Sequence, residues 1–177
     1  MALGIQRFNR LELVLWQQVA LVDQARVDGA ARSLFALDLL RDLYGKVVIP
    51  SAVRAEFLAT ERDARESALT DAPWITTVPL TNPRHALRYA GLDEGEAEVL
   101  ALAEELGGIV VMDERKGRRY ASRLGLPLTG TLGLLLLAKE RGLLASVGEA
   151  LETLQAAGLR LHAGLISEVL RLAGEAD

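Results

Sequence analysis

The apolar residues of this chain form two kinds of pattern: short unbroken runs, and longer stretches repeating at three and four. Val47-Val48-Ile49 is a β-branched run of the first kind. Pro50-Ser51 then supplies a turn and an N-cap for a helix carrying Val53 and Phe57 four apart. Ile109-Val110-Val111-Met112 is uninterrupted, as expected of a strand buried on both faces of a parallel sheet, and Asp113 ends it. Trp74 to Val78 reads as a further strand, and Val19-Ala20-Leu21-Val22 closes an apolar stretch that begins at Leu11.

Helical spacing occupies the intervals. Ala30 to Leu43 sets Leu37, Leu40 and Leu43 on one side and is stopped by Gly45. Thr60 to Ser67 is charged throughout, as in a solvated helix, and Asn82-Pro83 opens another short one. Asp93 to Leu106 is the clearest helix, with Val99, Leu100, Ala103 and Leu106 in its stripe and Gly107-Gly108 at its end. Leu132 to Ala138 and Gly164 to Ala173 predict two more. Short buried strands alternating with helices specify a three-layer α/β/α fold with a short, mostly parallel central sheet. Ligands of such folds gather beyond the carboxyl ends of the strands.

Composition narrows the chemistry. A chain of 177 residues, half of them apolar, predicts one domain over 1–177, with 1–18 as an atypical amino-terminal extension. The absence of cysteine removes thiolate nucleophiles and sulfur-ligated zinc, and only His85 and His162 offer imidazoles. Any metal would sit on oxygen. A net charge of -4 and a pI near 5.3 argue against coating nucleic acid through bulk charge. The stretch Leu11 to Val22 is broken by Glu12, Gln17 and Gln18 and is too short to span a bilayer. Arg7 and Arg10 precede it without a convincing cleavage site, so the expectation is a cytoplasmic protein with no membrane partner. The high apolar content leads us to expect a homodimer.

Three carboxylates stand at unusual positions. Glu94, Glu98 and Glu105 are expected on the outward face of the helix from Asp93, where charge confers solubility. Glu96 precedes Val99, Leu100 and Ala103 by three, four and seven residues and therefore emerges beside the buried stripe. It is also the fourth residue of an Asp93-x-x-Glu96 capping box, and spacing alone does not choose between the two roles. Asp113 follows a strand that reads as central, either as a site residue or as an N-cap. Glu56 projects from the start of a helix that follows a strand. All three acids are expected at one edge of the sheet, where like charges repel unless a cation intervenes. Mg2+ or Mn2+ prefers such oxygen donors and can activate water against a phosphodiester. Arg115, Lys116, Arg118, Arg119 and Arg123 follow Asp113 directly and suit either a polyanion or a solvated helix face. Thr129-Gly130-Thr131 is compatible with close approach to a ligand and with plain turn chemistry.

Several pieces of the chain, in order, resemble the PIN-domain family, in its branch of small prokaryotic PIN-like nucleic-acid-binding proteins. They are the segment from Leu37 through Gly45 to Val48-Ile49-Pro50, then Val53-Arg54-Ala55-Glu56, Leu92 to Glu98, Met112 to Arg119, and Thr129 to Gly133. The resemblance implies a nuclease in which acids at the end of a parallel sheet bind magnesium or manganese and RNA is cleaved, in many members as a toxin held by a small antitoxin protein. Carried over by position, it places Asp23, Glu56, Glu96 and Asp113 in the metal and catalytic site. Arg115, Lys116, Arg118, Arg119 and Thr131 then become RNA contacts. In relatives the first acid is followed by small hydroxyl residues and Pro-Leu, whereas Gln24-Ala25-Arg26 follows Asp23 here.

The expected function is a divalent-metal-dependent endoribonuclease. The altered turn after Asp23 motivates an alternative, a catalytically impaired module that binds RNA or a protein without cutting. A haloacid-dehalogenase-type phosphatase is disfavoured because Asp23-Gln24-Ala25 lacks an aspartate two residues on. Walker-A, dinucleotide and Gly-x-Ser-x-Gly patterns are absent from the sequence.

Overall fold

A computed structural model of the chain describes residues 20–22, 38–59, 62–156 and 158–176. Its strands are β1 (Ala20–Val22), β2 (Val47–Pro50), β3 (Ile75–Val78), β4 (Ile109–Val111) and β5 (Leu128–Thr129). They form one sheet in the order β3-β2-β1-β4-β5, and every pairing is parallel. The fold is thus α/β, as expected, with a fully parallel sheet. The apolar end of the Leu11 to Val22 stretch supplies its middle strand, in register with Val47 and Val48 on one side and Ile109 to Val111 on the other. Parallel neighbours need crossover helices, and the helical intervals of the sequence provide them.

The helices are α1 (residues 38–44), α2 (Ser51–Phe57), α3 (Arg62–Thr70), α4 (Glu94–Leu106), α5 (Arg115–Arg123), α6 (Thr131–Glu140), α7 (Val147–Ala156) and α8 (Ala163–Leu172). A 3-10 helix spans Pro83–Tyr89 and is capped by the Asn82 side chain, as the Asn-Pro turn predicted. Among the described residues, no helix is long and apolar enough to cross a membrane.

The chain divides into two compact units, Met1–Ala25 with Tyr44–Thr129, and Arg26–Leu43 with Gly130–Asp177. The first holds the sheet. Its core joins β2 and β4, buried along their whole lengths, to α4, in which Val99, Leu100, Ala101 and Leu102 are fully enclosed. Leu106, expected in the same stripe, is 53% exposed. It is the last helical residue, and the chain turns away immediately through Gly107 and Gly108, both at positive φ, so no further turn covers it. The second unit packs α6, α7 and α8 through Leu134, Leu135, Leu151, Leu154 and Val169. Within that unit the Arg141 guanidinium donates to the Leu43 carbonyl at 2.8 Å.

Candidate metal and nucleic-acid site

Chain direction places the acids of the first unit. Helix α2 begins directly after β2, and the loop after β4 carries Asp113. Helix α4 leads through Gly107-Gly108 into β4, so its N-terminus lies back at the edge where the strands end. Three segments therefore deliver Glu56, Glu96 and Asp113 to one edge of the sheet.

Glu96 fills both roles that spacing left open. The Asp93 carboxylate accepts from the Glu96 N–H at 2.7 Å and Glu96 Oε2 faces the Asp93 N–H at 3.4 Å, which completes a capping box. Glu96 is nevertheless only 3% exposed, and its Oε1 is buried without a hydrogen-bond partner among the described residues. Burial pushes the carboxyl above the usual range, and the charges of Asp93 and Glu114 push the same way, against the Asp93 N–H and Lys116. A cap alone would not need a stranded oxygen. The floor beneath it is Gly117 of α5, where a Cβ would lie 3.4 Å from Oε1 and collide with the Met112 sulfur.

Glu56 meets α4 from the other side. Its carboxyl is also raised, first by burial and then by Asp93, with a hydrogen bond from the Gly95 N–H opposing both. Asp93 thus repels both glutamates, a role beyond the cap that its spacing predicts. The Asp93-x-x-Glu96 spacing was the available signal for it. Asp113 is exposed at the end of β4, and the N-cap position of α5 is Glu114, which makes no side-chain cap bond. Asp23 lies outside the described residues; Val22 before it is in register with Val111.

Glu94 is exposed, as spacing predicted, but Glu98 and Glu105 are not free solubility charges. Glu98 accepts from the Ala52 N–H at 2.8 Å and so caps α2, a task expected of Ser51, which is instead the first helical residue behind an N-cap Pro50 that offers no side-chain bond. Glu105 accepts from Thr81 N–H at 2.9 Å and approaches His85 Nδ1 at 3.3 Å. Neighbouring Glu104 accepts from the Tyr89 hydroxyl and pairs with Arg88 at 3.2 Å. Helical periodicity shows which way a side chain points but not which long-range amide it meets.

The basic residues of α5 divide as well. Lys116 donates to the Gly91 carbonyl, and Arg118 donates to the Met112 carbonyl at 2.7 Å, so both brace the acidic edge. Arg115 and Arg119, one turn apart, are exposed and suited to a phosphate backbone. Thr131 is the first residue of α6, in the second unit.

The donor chemistry among the described residues fits a hard divalent cation: carboxylate oxygens, two of the groups held above their ordinary pKa, and one buried oxygen with no partner. Among the described residues, however, no three acids or imidazoles are grouped closely enough to hold an ion by themselves.

A family model described as a PIN domain matches residues 32–175. Among curated proteins, none matches the chain in sequence.

Proposed function

Because the chain belongs to the PIN-domain family, a family of nuclease type whose members use divalent metal ions, we propose that it is a divalent-metal-dependent endoribonuclease. The observation that carries this reading is Glu96, a carboxylate kept buried with one oxygen unpartnered among the described residues, beside the repelling charge of Asp93. That arrangement is unfavourable for folding and favourable for receiving a cation. Glu56, Glu96 and Asp113, joined by Asp23, would hold Mg2+ or Mn2+. The ion would neutralise the clustered charge and supply an activated water and an electrophile for the phosphate.

The chain's own residues have separable tasks. Lys116 and Arg118 fix α5 against the loops around Gly91 and Met112 and keep the basic helix beside the acids. Arg115 and Arg119 attract and orient the RNA backbone. No thiol or serine nucleophile is needed, since the protein contributes position and charge.

Single-stranded RNA should be cut with Mn2+ and spared with EDTA. Asp113→Asn should lower the rate at least about 100-fold, more than typical losses around a metal site, with the far-ultraviolet circular dichroism unchanged. Full activity in that variant would refute the site. Toxin action with a cognate antitoxin, a cytoplasmic location and a homodimer belong to the same proposal; growth arrest on expression and sedimentation measurements test the first and last.

The altered turn after Asp23, Gln24-Ala25-Arg26, motivates a second reading, a module that binds RNA or a protein partner without cleavage. RNA retention unaffected by chelator, with no heat of Mn2+ binding, would select it.

A further inference from the structure

Gly95 lies in the first turn of α4 and is not among the glycines at positive φ, so backbone conformation does not demand glycine there. Inside a helix glycine is less favourable than alanine. The space it leaves explains its presence. A Cβ on Gly95 would lie 3.0 Å from each carboxylate oxygen of Glu56 and 3.2 Å from Cγ2 of Val53. Val53 is fully buried and β-branched, so its methyl has nowhere to retreat. The Glu56 carboxylate is the part that would have to yield.

We propose that Gly95 is a positioning residue, whose missing side chain lets the Glu56 carboxylate settle against the first turn of α4, within reach of the charge on Asp93 that Glu96 also feels. The Gly95 N–H faces that carboxylate and lowers its pKa against burial and Asp93. Any methyl at position 95 would press Glu56 away from the edge it shares with Glu96. The inference rests on Glu56 belonging to the acidic site, but the seat itself is a property of the metal-free chain and can be tested there.

The experiment is a double-variant cycle by urea unfolding of the metal-free protein: wild type, Gly95→Ala, Glu56→Ala and the pair combined. With Glu56 truncated, only the Val53 methyl still opposes helix propensity at position 95, so Gly95→Ala should move the unfolding midpoint upward relative to its effect with Glu56 present. With Glu56 present, the same change should leave the midpoint unmoved or lower it. Equal increments in both backgrounds would overturn the proposal. Calorimetric titration with Mn2+ provides the readout that a purely structural glycine would not move. Gly95→Ala should bind Mn2+ about tenfold more weakly than wild type, and undiminished affinity would also count against it. A wild-type chain that takes up no Mn2+ would sink the metal-site reading, while the unfolding cycle would still decide the seat.

Discussion

Glu96 and Glu175 each bring a carboxylate to the N-terminus of a helix, in different units of the protein, and the two are treated in opposite ways. Glu175 accepts from the N–H groups of Val147 and Gly148 at 2.7 and 2.8 Å and from the Ser146 hydroxyl at 2.9 Å, and pairs with Lys139 at 3.1 Å. These donors pull its carboxyl down to about 2. Glu96 has one long backbone bond, acidic neighbours and an unpartnered oxygen, and its carboxyl moves up. Helix dipoles favour the ionised form at both places. At Glu96, burial and like charge prevail over the dipole. A carboxylate that staples the fold is surrounded by donors, whereas Glu96 is left short of them, as the proposed cation site requires.

The comparison can be broken most severely at Glu175. Glu175→Gln should cost about 2 kcal/mol at pH 7, the range for hydrogen bonds to a charged group. Because the folded-state carboxyl is depressed, its stabilisation is present above about 4.5 and lost as pH falls toward about 2. Wild type and variant should therefore converge in acid denaturation series. Glu98→Ala, which strips the cap from α2, should cost about 1 kcal/mol by chemical denaturation at neutral pH.

Glu96→Gln should do the reverse. Glutamine preserves the capping box, so the metal-free variant should gain about 0.5 kcal/mol at pH 7 while losing RNA cleavage. The sign follows from the raised carboxyl: its stabilising, protonated form is complete below the unfolded value near 4.5 and lost as pH rises through the folded one. The gain should vanish in acid. A less stable Glu96→Gln protein at pH 7 would mean that Glu96 is a structural acid like Glu175. The smallest effect concerns RNA affinity rather than folding. Replacing Arg115 and Arg119 together by alanine should reduce the salt-dependence slope of RNA binding by about 1 to 2, read by filter binding.

Much of this architecture was legible in the amino-acid order. Unbroken apolar runs at Val47 and Ile109 are wanted only by strands covered on both faces, and both became central or near-central strands of a parallel sheet. Glu96 stood out because the residues three, four and seven places on are apolar, a purely local geometry. Long-range partners were not legible. Glu98 looked like a solvent-facing charge and instead caps a helix that begins at Ser51, and Glu105 looked the same and holds the turn at Thr81.

Local periodicity thus determined which segments coil, which extend, which faces are apolar and where acids meet strand ends, because those depend on steric and solvation preferences within a few residues. The fold decided what each acid encounters. Whether a glutamate receives four donors, as Glu175 does, or keeps an oxygen without one, as Glu96 does, depends on segments tens of residues away that only folding brings into contact.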